Sequence, residues 1–175
     1  MSTINYPNDA APAPHSFTIE CPDGWTVHPA PRALMMLTPD EHSPEFHPNL
    51  VIASHRVPSS VDLKEIGVST LVTAAGIGSD AALEVGKVGR LNGRLVYIQT
   101  LALTLESTGQ RAAQLHVVFY GPQNGSAEGE GGSVADLYTV IGTCLDVDAP
   151  TYAPIFLQIA ASLTFGPQLV APAPG

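Results

Sequence analysis

Hydrophobic and polar residues alternate most regularly near the C-terminal end of the chain, from Asp136 to Asp146. This period of two predicts a β-strand, and one of its sides is formed by Leu137, Thr139, Ile141, Thr143 and Leu145. After the Asp-Ala-Pro-Thr turn at residues 148–151 the period lengthens to about 3.6 residues, which predicts an amphipathic helix ending at Leu163. Its apolar side consists of Tyr152, Ile155, Phe156, Ile159, Ala160 and Leu163. A strand that leads directly into such a helix indicates a helix packed back on a sheet.

Shorter alternating segments predict the remaining strands. These are Phe17–Glu20, Trp25–Val27, Ala33–Leu37, Asn49–Val57, Ala82–Val88, Arg94–Leu105 and Ala112–Tyr120. The turn at residues 21–24 predicts that the second strand continues the first. Asn92 and Gly93 tolerate positive φ angles and therefore predict a tight hairpin between Ala82–Val88 and Arg94–Leu105. The proline-rich segment Thr38–Pro48 and the glycine-rich segment Gln123–Ser133 predict loops.

A first helix is predicted directly after Pro58. Ser60 is a suitable N-cap, and the negative charges of Asp62 and Glu65 complement the positive end of the helix dipole. Gly76 is placed to end the helix. Its predicted apolar side consists of Leu63, Ile66, Leu71 and Ala74.

The order of these elements predicts the fold class. Successive strands joined by tight turns pair antiparallel, so we expect an α+β domain with a mostly antiparallel sheet of about six to seven strands and two main helices. A chain of 175 residues is long enough for one such domain. We place it at residues 16–166, between a flexible N-terminal segment at 1–15 and a flexible tail at 167–175, because both ends are rich in proline and alanine.

The later strands differ in the side chains that they direct to each face. We expect Leu115, Val117 and Phe119 to share a richly apolar face with Leu137, Ile141 and Leu145, and we expect both helices to pack on that face. The other face then carries His116, Tyr120 and Tyr138 among small residues. Two interpretations of this second face remain open. Either it forms a shallow groove for a partner or an apolar ligand, or a helix covers it and these polar groups are satisfied inside the core.

The charge of the chain limits its partners. Seven Lys and Arg residues against sixteen Asp and Glu residues give a formal net charge of -9, which disfavours binding to nucleic acids and anionic lipid surfaces. No apolar run approaches the roughly 20 residues of a membrane span. The N-terminus lacks the basic start and apolar core of a secretion signal, so we expect a cytoplasmic protein, or a cell-envelope protein if a signal was removed.

The state of the two cysteines is linked to the cellular compartment in which the protein resides. Cys21 and Cys144 each lie near a predicted strand and are either separate buried thiols or one disulfide bridge. The reducing compartment expected for a chain without a signal favours two thiols.

Several short segments together carry a family resemblance. They are Cys-Pro-Asp-Gly-Trp at 21–25, Phe-His-Pro-Asn-Leu-Val-Ile at 46–52, Thr-Tyr-Ala-Pro-Ile-Phe at 151–156 and Ala-Ser-Leu at 161–163. With the long hairpins, they resemble the actinobacterial LpqN/LpqT lipoprotein family, a branch of the Mog1/PsbP-like fold, over residues 16–166. The resemblance implies an antiparallel sheet between helices, a binding or accessory role, no shared catalytic residues and no cofactor. The chain departs from this family in lacking the signal and the lipid-attachment cysteine.

The coarse pattern also resembles the Eag-type effector chaperones of type VI secretion. That alternative predicts an open apolar sheet face that shields helices of a secreted effector, and a homodimer. The accessory role is compatible with a monomer.

Enzyme chemistry has little support in the sequence. The chain contains no Gly-x-Ser-x-Gly, no phosphate-binding glycine loop, no His-Glu-x-x-His and no Cys-x-x-Cys. Imidazole and carboxylate groups cluster around His42 and His47, with His55 on the next strand, but their spacing matches no established metal site. A solvated acidic loop is the simpler interpretation, and a metal-dependent hydrolase requires these three histidines to converge.

We therefore predict a non-enzymatic binding or accessory protein that contacts a protein partner or a hydrophobic ligand. The expected contact residues are Trp25, Tyr97, His116, Tyr120 and Tyr138. Aromatic side chains with a polar tip suit such contacts because they combine apolar area with a hydrogen-bonding group.

Overall fold

A computed structural model describes residues 13–75, 78–122 and 134–168 of the chain. In chain order the elements are β1 (His15–Thr18), β2 (Trp25–His28), β3 (Met35–Pro39), β4 (Asn49–Pro58), α1 (Leu63–Ala75), β5 (Gly78–Leu91), β6 (Arg94–Leu105), β7 (Arg111–Tyr120), β8 (Val134–Leu145), α2 (Ala149–Ser162) and β9 (Thr164–Gln168). A short 3-10 turn at Asp146–Asp148 joins β8 to α2. The predicted loop Gln123–Ser133 and the predicted helix stop Gly76 lie outside the described residues.

The described strands form two sheets. The main sheet has seven strands in the order β2-β3-β4-β8-β7-β6-β5, and every neighbouring pair is antiparallel. The predicted α+β class and the predicted strand number are therefore confirmed. The hairpin between β5 and β6 turns at Asn92 and Gly93, whose φ angles are 48° and 80°, as this residue pair predicts.

A ribbon of β1 and β9 forms the second sheet. The prediction that β2 continues the first strand is wrong, because β1 pairs with the C-terminal end of the domain and β2 pairs with β3. Strand β9 was not predicted, since residues 164–168 offer only a short apolar segment before a proline-rich tail. The two strands extend over both predicted domain boundaries, at residues 15 and 167.

Helix α1 begins later than predicted. Asp62, and not Ser60, caps it: the backbone N–H of Lys64 donates to Asp62 Oδ1 at 2.7 Å. The backbone N–H of Ile66 donates to the Asp62 carbonyl oxygen at 3.2 Å. Asp and Ser are about equally favoured at N-caps, and the negative charge of Asp62 also complements the positive end of the helix dipole.

The two helices pack on opposite faces of the main sheet, so the prediction that both share one apolar face is wrong. Helix α1 packs over β5, β6 and β7, whereas α2 packs over β7 and β8. We call these faces the α1 side and the α2 side. Each helix approaches the sheet at a glycine. A Cβ added at Gly142 of β8 would overlap the ring of Phe156 on α2, and a Cβ added at Gly67 of α1 would overlap the ring of Tyr97 on β6.

The tip of the β5–β6 hairpin holds the end of α2. Asn92 Nδ2 donates to the carbonyl oxygen of Ala161 at 2.7 Å, and Arg94 Nη2 donates to that of Leu163 at 2.9 Å. These bonds satisfy carbonyl groups that have no partner within the helix, and a cation suits the negative end of the helix dipole. The Arg94 guanidinium also lies 4.7 Å from the ring centroid of Phe119 and 5.0 Å from that of Phe165.

We expect Gly67→Ala to destabilise the protein, although alanine is the better helix former by about 1 kcal/mol. The added methyl group must displace the Tyr97 ring, and overpacking of this kind costs about 1–3 kcal/mol. The free energy of unfolding in urea measures the change. The matched control is Gly89→Ala on β5, where an added Cβ meets no atom within 4 Å. A Gly67→Ala protein more stable than the wild type would contradict the close packing of α1.

Candidate binding face

One row of paired residues crosses the α1 side of the main sheet from edge to edge. Each member lies directly opposite the next on the neighbouring strand, so all of them face the same way. From β5 to β2 the row consists of Gly86, Gln99, His116, Ile141, Val51, Met36 and His28. Helix α1 covers the β5–β7 part of this face. The row therefore divides into a part beneath α1 and a part on β8, β4 and β3 beyond it.

The part beneath α1 is polar, and hydrogen bonds link its residues from one end to the other. Gln99 Nε2 donates to the Gly67 carbonyl oxygen at 2.9 Å and also to Thr70 Oγ1. His116 Nδ1 lies 3.1 Å from Thr70 Oγ1, and His116 Nε2 lies 3.0 Å from Gln114 Oε1. We call these residues, with Thr143, the polar row: Thr70, Gln99, His116, Gln114 and Thr143. Its last bond runs from Gln114 Nε2 to Thr143 Oγ1 at 3.3 Å.

The partners of His116 fix its protonation state. Gln114 Oε1 can only accept, so with this amide orientation His116 Nε2 carries the proton and Nδ1 is an acceptor. The single proton of the Thr70 hydroxyl is within reach of both His116 Nδ1, at 3.1 Å, and the Gly67 carbonyl oxygen, at 2.7 Å. Burial lowers the pKa of His116 from 6.5 to about 4, because an imidazolium loses its hydration there. His116 is 2% exposed and is therefore a neutral part of the core at neutral pH.

One end of the polar row has an unused acceptor. Among the buried side-chain atoms of the described residues, Gln99 Oε1 and Gln110 Oε1 have no hydrogen-bond partner. An unsatisfied buried acceptor costs about 1–3 kcal/mol. Turning the Gln99 amide over would not remove this cost, because its oxygen would then face the carbonyl oxygen of Gly67.

Beyond α1 the same face is apolar and only partly covered. Met36, Val51, Ala53 and Ile141 are half-buried, and we call these four residues the half-buried patch. Buried threonines border it on β8, where Thr139 pairs with Ala53, and Thr143 pairs with Asn49. Within the described residues, α1 packs mainly on β5, β6 and β7. Leu63 at its start also packs with Leu137 of β8 and Val57 of β4, which lie four residues along their strands from Ile141 and Ala53 of the patch.

Histidines lie at the β2 side of the patch. The His42 and His47 rings contact each other edge to face, and His28 Nε2 lies 2.9 Å from Thr38 Oγ1. Loss of hydration lowers the pKa of His47, and repulsion from His42 and His28 lowers it further. His55 pairs with Leu137 in the middle of the sheet and is not part of this group. His42, His47 and His55 therefore do not converge as a metal-dependent hydrolase would require, and no three His, Cys, Asp or Glu residues in the described ranges form a group that could hold a metal ion.

The five predicted contact residues do not lie on one surface. Tyr97 and His116 are buried beneath α1, which matches the second interpretation of that face, a helix over satisfied polar groups. Tyr120 is half-buried on the same side and donates to the Val61 carbonyl oxygen at 2.6 Å. Trp25 is half-buried against α2, with its ring centroid 6.3 Å from that of Tyr152 and 6.2 Å from that of Phe156.

The prediction that Tyr138 shares a sheet face with His116 and Tyr120 is wrong. It pairs with Phe119, and Tyr120 pairs with Leu137, so Tyr138 faces α2 and lies opposite to His116 and Tyr120. It is fully buried, and its pKa is raised to about 12, first by burial and then by the neighbouring Asp136. The error arose because a one-residue change in register moves every side chain of a strand to the other face.

The half-buried patch was not predicted from the sequence. Its signal is present in β4, where Val51 and Ala53 alternate with the buried Leu50 and Ile52, so that the strand is apolar on both faces. An antiparallel strand with only one covered face alternates with polar residues instead. Recognition of the patch also requires knowing which face α1 covers, and that depends on long-range pairing.

The cysteines are free thiols in separate environments. Cys144 is buried and Cys21 is exposed. The prediction of two thiols is confirmed, but the prediction that both are buried is wrong for Cys21. Burial raises the pKa of Cys144 to about 12, with a smaller contribution from Asp148 and Asp146.

Comparison with known proteins supports the fold. No protein-family model and no curated protein sequence matches the chain. Among solved structures, it is similar to LpqN of Mycobacterium tuberculosis, described as involved in cell envelope biogenesis, with a TM-score of 0.64, 16% identity and coverage of 90% of this chain and 87% of that one. It is also similar to the cyanobacterial PsbP (CyanoP) of Synechocystis, with a TM-score of 0.59, 13% identity and coverage of 95% and 99%.

A third similar structure is PA94 from Pseudomonas aeruginosa, a protein of unknown function, with a TM-score of 0.53, 12% identity and coverage of 91% and 99%. These likenesses define the class: an α+β domain of the Mog1/PsbP-like fold. At such identities they show the fold alone. Separately, no helix in the described part of the chain has the length and apolar character needed to span a membrane.

We expect the stability of the protein to fall as the pH is lowered from 6.5 to 4. The folded-state pKa of His116 is depressed, so its stabilising contribution is complete above the unfolded pKa of 6.5 and is lost as the pH approaches about 4. At 1.36 kcal/mol per pKa unit the full loss is about 3 kcal/mol. The free energy of unfolding in urea, measured across this pH range, tests the prediction.

In His116→Gln this part of the pH dependence of stability should disappear, whereas His55→Gln, at an exposed site, should keep it. Equal slopes in the wild type and His116→Gln would show that His116 is hydrated.

Proposed function

We propose that this protein is a non-enzymatic accessory protein that binds a protein partner or a hydrophobic ligand on the half-buried patch. The observation that carries the proposal is the unequal covering of the α1 side. The helix rests on the polar row, while the apolar half of the same face, at Met36, Val51, Ala53 and Ile141, remains partly exposed. Apolar surface bordered by polar side chains is typical of a recognition site.

The chemistry of the interior supports a binding role over catalysis. The most buried histidine, His116, is neutral and has hydrogen-bond partners at both ring nitrogens. The pKa values of both cysteine thiols are raised, which disfavours the reactive thiolate. His116 and Cys144 therefore belong to the core, and none of these three groups is activated for reaction. LpqN, which shares the fold, is described as involved in cell envelope biogenesis, and this supports an accessory role at the level of fold likeness alone.

The two remaining predicted functions receive less support. A chaperone that shields apolar helices requires a broadly open sheet face, whereas α1 covers β5, β6 and β7 on one face and α2 covers β7 and β8 on the other. A metal-dependent hydrolase requires the separated His42, His47 and His55 to share one centre. Trp25 and Tyr120, the two half-buried members of the predicted contact set, remain proposed contacts at the margins of the domain.

Site-specific cross-linking tests the patch. We expect a photoreactive phenylalanine analogue at position 53 to form a covalent adduct with a partner or ligand in cells that produce the protein, because Ala53 lies within the patch. The matched control places the same residue at the exposed Ala82 on β5, far across the sheet. Mass spectrometry of the adducts identifies what is bound.

A second variant makes the result specific. Met36→Arg introduces a charge into the patch and should abolish the adduct formed at position 53, while circular dichroism reports whether the fold is kept. Adducts at position 82 and not at 53, or adducts at position 53 that survive Met36→Arg, would reject the patch as the binding surface.

A further inference from the structure

The free side of β5 forms a second surface that the proposed function does not use. Strand β5 is the last strand of the main sheet and pairs with β6 on one side. No other described strand pairs with it. An edge strand presents unpaired N–H and C=O groups that can bond to another extended chain.

The β5 edge is regular over only part of its length. Register shifts lie between Ser79 and Ala82 and between Leu83 and Val85, whereas pairing with β6 is uninterrupted from Val85 to Leu91. Bulges commonly protect an edge against added strands. The segment Val85–Leu91 has no such protection, and its length of seven residues is that of a typical strand.

The side chains of this segment add an apolar surface. Val85 is 54% exposed and Val88 is 55% exposed, and Leu95, which pairs with Arg90 and lies on the same face as Val88, is 51% exposed. Val88 pairs with Tyr97 on the α1 side, and Val85 pairs with Thr100 on the opposite side, so an added strand would find a valine on each face. Gly89 leaves open space around its backbone, since an added Cβ would meet no atom within 4 Å.

The charged residues near the β5 edge indicate which kind of peptide segment could pair with it. The chain carries a net charge of -9, yet residues 85–105 contain Lys87, Arg90 and Arg94 and no Asp or Glu. Arg94 is engaged with the end of α2, while Lys87 and Arg90 are exposed, and Arg90 Nη1 donates to the Gly93 carbonyl oxygen at 2.7 Å. We propose that β5 accepts an extended, acidic segment of a protein partner as an eighth strand of the main sheet. Its backbone bonds to Val85–Leu91, its apolar residues cover Val85 and Val88, and its carboxylates face Lys87 and Arg90.

The direct test uses a fluorescein-labelled peptide of about eight residues, the length of a typical strand, in which pairs of valines alternate with pairs of glutamates so that each face of the extended peptide carries both residue types. Fluorescence polarisation with the full chain should show saturable binding that weakens as salt is added, because exposed charges are screened. Lys87→Glu should weaken binding about five- to tenfold, since the attraction of an exposed cation for the peptide carboxylates becomes a repulsion. Lys64→Glu, at an exposed cation on α1, is the matched control and should bind like the wild type.

Backbone pairing is tested separately by amide hydrogen exchange. Peptide binding should slow the exchange of amides within residues 85–91 and leave the opposite edge strand, β2, unchanged. The proposal is overturned if the peptide does not bind, if a valine and lysine peptide binds equally well, if Lys87→Glu binds like the wild type, or if protection appears away from β5. Protection of residues 85–91 without peptide at high protein concentration would identify a second copy of the chain as the occupant and would also overturn it.

Discussion

The position of α1 on the polar row determines which part of that sheet face stays exposed. Gln99 and His116 are fully buried, and their bonds to Gly67 and Thr70 hold the helix above β6 and β7. These bonds are directional, so they fix the position of the helix across the sheet more strictly than apolar contacts would. The absence of a side chain at Gly67 then allows the helix to approach the Tyr97 ring. Because α1 is fixed there, the neighbouring half of the same face stays only partly covered.

The opposite face is closed in a different way. Phe156 of α2 rests over Gly142, and the β1–β9 ribbon adds Phe17 and Phe165 around Tyr138. This side is an aromatic and aliphatic core with few polar groups, and it stabilises the domain by burial. The two faces therefore have separate roles in the account proposed here. The α2 side supplies stability, and the α1 side combines a specific polar anchor with a surface for recognition.

Local sequence patterns predicted the elements that depend on local chemistry. The alternation in β8, the helical period of α2 and the Asn92-Gly93 turn each involve residues close together in the chain, and the structure has each of them. The assignment of faces failed at Tyr138, because it requires the register between β7 and β8. Strands β1 and β9 pair across nearly the whole chain, and no local period reveals such a contact.

The candidate site was harder to predict than the fold for the same reason. The sequence identifies His116 as a polar residue on a strand. Its function as an anchor for α1 cannot be predicted in this way, because it depends on Thr70 and Gln99, which lie far away in the sequence. The apolar residues on both faces of β4 are visible in the sequence, but a strand of this kind is normally buried on both faces, so they do not by themselves predict an exposed surface. What made them a candidate surface is the lateral position of α1, which follows from the polar row.

The central claim is that α1 seals His116 in the core as a neutral, hydrogen-bonded imidazole. Nitrogen-15 NMR of the imidazole rings tests it most directly, since the two ring nitrogens report protonation and tautomer separately. The account predicts that His116 carries its proton on Nε2 at neutral pH and titrates near a pKa of about 4. A His116 ring that titrates near 6.5, or that carries the proton on Nδ1, would contradict it.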